Sequence, residues 1–161
     1  MQISENSRVW IYQSDRPFTD TEKTEIEALL TAFTGQWQAH GHQLSAFAEI
    51  RFDRFLILMV DESQAGATGC SIDKSVKLMQ QIEAEYKVNL FDRFNIAYKQ
   101  QEQVLSCNRI EFEGLIRDGK ITEDTIVFNN LVQTRKELDE NWETPFKQSW
   151  HKRVFNLNPV G

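Results

Sequence analysis

Apolar residues recur along this chain with two periods, one near 3.6 and one of 2, and the switches between them mark out its elements. Val9-Trp-Ile-Tyr12 is β-branched and aromatic and predicts a first strand, closed by Asp15 and Pro17. Thr19 stands three residues before Glu22, the spacing of a capping box. Ile26, Leu29, Leu30, Phe33 and Trp37 then share one helical face, so a helix is expected to run to Gly41. In that reading His40 sits at the helix exit and Gly41 is its left-handed cap. Leu44, Ala46, Ala48, Ile50 and Phe52 alternate with mostly polar residues, which predicts a strand with one wet face, and Asp53 turns the chain. Phe55 to Val60 is apolar without interruption, the pattern of a strand buried on both faces. Ile72, Val76, Met79, Ile82 and Tyr86 line a second helix that opens on Cys70 and Ser71, and Phe94, Ile96 and Tyr98 alternate again as a fourth strand.

Strand, helix, strand, strand, helix, strand is the split βαβ order of ferredoxin-like folds, an antiparallel sheet with two helices on one face. The remainder repeats the logic on a smaller scale. Val104 to Ser106 reads as a short strand. Asn108 and Glu111 give a second capping-box spacing ahead of Phe112, Leu115 and Ile116, with Gly119 as the stop. Thr125 to Phe128 reads as a strand, and Thr134 and Glu137 open a helix that ends before Pro145. No stretch has the composition of a linker. The expectation is therefore one α+β domain over residues 1–161: a ferredoxin-like βαββαβ core over 1–99 and a β-α-β-α extension over 100–161 packed on the same body, with about five or six strands in its sheet.

Composition narrows the function classes. Apolar residues make up 40% of 161, with 11 Phe and 4 Trp, enough for a substantial core. A net charge of −6 argues against nucleic acid and against an anionic membrane surface, since both need excess Lys and Arg. No apolar run approaches the ~20 residues of a membrane span, and the first residues lack a secretion signal. Cys70 and Cys107 are then read as free thiols of a soluble, cytoplasmic protein.

Chemistry concentrates in residues 55–75. A helix start presents unpaired N–H groups and a partial positive charge, so Gly69, Cys70 and Ser71, with Lys74 one turn on, form a candidate anion site. The same charge favours a thiolate at Cys70, the one candidate nucleophile. Asp73 opposes this, and no base is placed beside it by sequence. The plainer account makes Cys70 a small packed residue, slow to alkylate, with Ser71 as the cap. Asp61 and Glu62 end the apolar strand in the form of a Walker B motif and are candidate cleft carboxylates. His40-Gly41-His42 lacks a third ligand at any recognised spacing, so no metal and no cofactor are expected. Residues 146–155 interleave aromatics with basic side chains and read as an amphipathic closing segment that buries Phe146, Trp150 and Phe155.

Met59-Val-Asp-Glu62, Gly69-Cys-Ser-Ile-Asp73 and Val127-Phe-Asn-Asn130 give the chain, almost end to end, a resemblance to a family of small bacterial proteins sometimes labelled "ABC transporter ATPase". The resemblance implies no established activity. The label fails on this sequence, because a P-loop needs Gly-Lys-Ser or Gly-Lys-Thr. Here Asp73 precedes Lys74-Ser75, and Ile121 follows Gly119-Lys120. Residues 111–127 also look like the helix and strand of small modules related to GYF domains. The peptide-binding aromatic groove of those domains is not recognisable here.

These readings favour a non-catalytic binding or regulatory protein, with a small anionic ligand or a protein as partner and a homodimer formed through a sheet edge or aromatic surface. The alternative is a thiol-dependent or anion-binding enzyme centred on Gly69, Cys70 and Ser71. A packed thiol would favour the first, and an accessible one beside a polar partner the second.

Overall fold

The computed structural model describes residues 3–155. It is a mixed α+β structure with five α-helices and three antiparallel sheets among those residues. The described chain divides into two compact units, residues 3–91 with 133–137, and residues 92–132 with 138–155.

In the first unit, β1 (Arg8–Gln13) leads into α1 (Asp20–Gln36), whose start carries the expected box: Thr19 Oγ1 accepts from the Glu22 N–H and Glu22 Oε1 accepts from the Thr19 N–H. Ile26 and Leu30 of its apolar face are buried. The helix then stops earlier than its pattern predicts. Trp37 is already extended, and Gln38–Ala39 (β2) pairs with His42–Gln43 (β3). His40 and Gly41 both have positive φ, 52° and 77°, which is the two-residue turn of a tight hairpin. They do not form the helix cap expected above.

Next, β4 (Ser45–Arg51) and β5 (Phe55–Asp61) form an antiparallel hairpin, and β5 lies between its neighbours in the order β1-β5-β4. Phe55 to Val60 are all buried, as an uninterrupted apolar run requires. Leu56, Leu58 and Val60 face the cluster formed with Ile26, Leu30 and Trp37 from the α1 side and Met79, Ile82 and Tyr86 from α2 (Gly69–Tyr86). The first turns of α2 are rotated relative to expectation. Ser71 and Ser75, not Ile72 and Val76, occupy the buried positions ahead of Met79.

The expected fourth strand forms but joins another sheet. Ile96–Gln100 (β6) pairs with Gln103–Cys107 (β7) through a turn at Gln101, φ 58°, and with β8 (Ile126–Phe128) on its other side. Closing a hairpin with so few intervening residues costs little chain entropy. The edge of β1 is instead met by Thr134, bridged to Arg8, with the Val9 N–H donating to Gln133 O at 2.9 Å and the Arg135 N–H to Ser7 O at 2.9 Å. A single sheet of five or six strands is therefore not present.

The second unit has the sheet order β7-β6-β8-β9, with β9 at Glu143–Pro145. Its core gathers Ile96, Tyr98, Phe112, Ile116, Val127, Phe146 and Phe155. Phe112 lies on α3 (Arg109–Arg117), which starts in the expected Asn108–Glu111 box. Residues Arg135–Asn141 form α4, where Thr134 Oγ1 accepts from the Glu137 N–H at 3.2 Å. A 3-10 turn at Phe146–Gln148 and a short α5 (His151–Val154) complete the described chain.

Candidate functional site

The start of α2 is fixed by a capping box that differs in detail from the sequence reading. Thr68 is the cap: its Oγ1 accepts from the Ser71 N–H at 3.2 Å, while Ser71 Oγ accepts from the Thr68 N–H at 2.7 Å. The Ser71 hydroxyl also donates to Thr68 O at 2.8 Å and is 1% exposed, so it holds the helix and leaves no side chain for a ligand. The Ile72 N–H is taken by Thr68 O at 2.9 Å. Gly69 and Cys70, the first two residues of the helix, present N–H groups with no acceptor among the described residues.

Those N–H groups border a groove of about 450 Å³. One wall is the helix start with Thr68, Cys70 and Lys74, and the other is the hairpin with Gln38 and His40. The two walls are tied together from below. Trp37, at the hairpin's root, is 2% exposed, and its indole N–H donates to Ser71 O at 2.8 Å. Of the candidate anion residues, the structure thus brings Gly69, Cys70, Ser71 and Lys74 together and adds His40 and Gln38, which sequence reasoning did not place there. Asp73 is exposed but does not line the groove. A tight turn at His40-Gly41 was the signal that could have found the second wall.

Cys70 is exposed, not packed, so that expectation is corrected. Being the second residue of the helix, it projects beside the cap and away from the buried stripe of Ser71, Ser75 and Met79. No described residue hydrogen-bonds its thiol, and His40, though in the same groove, does not reach it within bonding distance. Cys107 behaves oppositely. It is half-buried, and desolvation together with the nearby Glu111 carboxylate pushes its pKa up to about 11. That rise alone cuts the thiolate fraction near neutral pH by roughly a hundredfold or more against a free cysteine. Iodoacetamide at pH 7.5 is therefore expected to label Cys70 first, by at least about tenfold in rate. Equal rates in Cys70→Ser and Cys107→Ser variants would show that Cys70 is shielded.

Asp61 and Glu62 do not line this groove. Asp61 Oδ1 accepts from the Ser63 N–H at 3.0 Å, a bond that lowers its pKa, and Glu62 Oε2 accepts from the Ala67 N–H at 2.8 Å. Both carboxylates shape the loop that delivers the chain from β5 to Thr68. Val127-Phe-Asn-Asn130 is likewise accounted for by packing: the Asn129 N–H donates to Trp142 O at 2.8 Å and Asn130 Oδ1 accepts from the Trp142 indole at 2.9 Å. Among the described residues no three His, Cys, Asp or Glu side chains gather as a metal site, and no helix is long and apolar enough to cross a membrane. Comparison with protein-family models, curated proteins and solved structures finds no match to this chain.

Proposed function

We propose that this is a non-catalytic binding protein whose groove at the start of α2 takes a small anion, such as a phosphate or carboxylate group. The observation that carries the reading is one groove lined by the unsatisfied helix start at Gly69 and Cys70, by Lys74 and by His40, with no carboxylate residue among its lining. Helix N–H groups and a cation supply directional and Coulombic attraction for negative charge. Binding is favoured over catalysis because no described residue hydrogen-bonds the Cys70 thiol, whereas a nucleophile needs an oriented base. The exposure of Cys70 beside His40 is what supports the second reading, a thiol-dependent enzyme at the same place. The first unit fits a ferredoxin-like core whose fourth position is filled in part by residues 133–135, and two unpaired cysteines suit a reducing cytoplasm.

Calorimetric titration with inorganic phosphate tests the proposal. Binding is expected in the wild type and in Cys70→Ser, with Lys74→Gln weaker by roughly tenfold, the scale of one charge-assisted hydrogen bond. Absence of phosphate and acetate binding in the wild type would overturn it. Turnover or covalent capture that vanishes in Cys70→Ser would install the enzyme reading instead.

A further inference from the structure

We propose that residues 146–155 form an acid-released latch over the aromatic core of the second unit, opened by protonation of His151. The segment closes that core from both of its ends. Phe146 is fully buried and stacks on Phe112 at 6.2 Å between centroids; Phe155, 4% exposed, meets the same ring edge-on at 4.8 Å. Between these two anchors the sequence places polar residues inward. Ser149 is 6% and His151 2% exposed, and Ser149 Oγ lies 2.6 Å from His151 Nδ1. The Trp150 ring stacks on the imidazole at 3.8 Å, and Phe112 approaches it at 6.3 Å. The Trp150 indole nitrogen is itself buried without a hydrogen-bond partner among the described residues.

Among the described residues an imidazolium has no carboxylate to pair with here. On the segment, Lys147, Lys152 and Arg153 are exposed cations. From α3, the Arg109 guanidinium lies over the Phe155 ring at 5.6 Å and is ion-paired to Glu113 at 3.2 Å. Tyr98 and Cys107, the titratable groups the sheet contributes around this core, are held neutral by burial. No carboxylate bridges to His151 among the described residues. Ser149 Oγ can meet the ring in either protonation state, so it is the burial of the imidazole, with no carboxylate bonded to it among the described residues, that favours the neutral form and holds its pKa down at about 4.

Release follows by linkage. With the latch open the imidazole meets water and regains its ordinary value near 6.5, so opening takes up a proton in the window between about 4 and 6.5. The folded value is the depressed one. The latch is therefore strongest above that window and loosens as pH falls through it, by up to tenfold per pH unit and about 300-fold in all. Opening uncovers Phe112, Phe146 and Phe155 together, an apolar patch of three rings.

Hydrogen exchange on the full chain from pH 7 to 4.5, corrected for the intrinsic rate, reads the latch directly. The Ser149 and Phe155 amides donate within the segment, to Phe146 O and His151 O. Their protection is expected to drop roughly tenfold per unit in the lower part of this range, while the amides of β6, in the same unit, keep theirs. In His151→Phe the drop should disappear. Should that variant fold poorly, the wild-type ring resonances of His151 decide: a midpoint near 4 supports the latch, and one near 6.5 overturns it. Parallel loss of protection in β6 would also overturn it, because that describes acid unfolding of the whole second unit.

Discussion

Leu58→Ala is expected to lower stability by about 4 kcal/mol, near the upper end of the range for leucine truncation in a core. Leu58 is fully buried in β5, paired with Trp10 on one side and Ala48 on the other. Strands on both flanks hold its backbone in place, and the cluster it belongs to is built from helix residues such as Ile26, Leu30, Met79 and Ile82. These surroundings resist collapse, so most of the vacated volume stays as cavity, which is the condition that makes truncation costly. Ile110→Ala supplies the comparison. That side chain is 76% exposed at the start of α3, and its loss should change stability by no more than about 0.5 kcal/mol. Urea unfolding followed by circular dichroism, with unchanged slope, measures both. Equal midpoints for the two variants would mean that β5 is not the centre of the first core.

Strong local signals survive folding, and weak ones are decided by tertiary contact. The capping pairs Thr19–Glu22 and Asn108–Glu111 and the apolar run of β5 form where their chemistry places them, because each satisfies nearby backbone groups or buries a whole strand whatever surrounds it. The pairing of β6 was not legible in this way. The alternation of Phe94, Ile96 and Tyr98 says that a strand exists, although Phe94 lies in an exposed turn ahead of β6, and nothing in it chooses between β1 and β7 as neighbour. Register and partner come from the short connection at Gln101 and Glu102.

The candidate site was half visible for a related reason. Small-residue composition pointed to a helix start near Cys70, and the groove is indeed framed there. But Ser71 and Ser75 count as polar in any hydrophobic pattern, so the sequence pattern runs the buried stripe through Ile72 and Val76, one residue off. Small serines can face inward because each hydroxyl donates to a helix carbonyl, Ser71 Oγ to Thr68 O at 2.8 Å and Ser75 Oγ to Ile72 O at 2.6 Å, so neither needs water. That rotation is also what carries Cys70 to the surface. The hairpin wall was hidden because the pattern from Ile26 to Trp37 runs straight on toward Gly41, and only the paired positive φ of His40 and Gly41 breaks it.

Trp37 is where fold and groove meet, and its replacement separates the two. The ring lies 4.9 Å from Phe33 and 5.9 Å from Trp10, and its carbonyl accepts from the Leu44 N–H at 2.9 Å, so it joins the end of α1, the strand β1 and the hairpin. Trp37→Ala removes a nearly fully buried indole and is expected to cost about 3–5 kcal/mol, or roughly 10 °C in melting midpoint for a chain of this size. Trp37→Phe keeps part of the apolar area, removes the indole donor to Ser71 O and leaves a smaller cavity, a loss of roughly 2–3 kcal/mol. The second variant should therefore remain folded at room temperature. Its phosphate affinity should still fall several-fold, because the hairpin wall with His40 and Gln38 is no longer fastened to the helix wall with Cys70 and Lys74. Thermal melts and phosphate titrations of both variants make the measurement. If Trp37→Phe binds phosphate as the wild type does, the hydrogen bond is not what holds the groove in shape, and the anion affinity must come from the helix start and Lys74 alone.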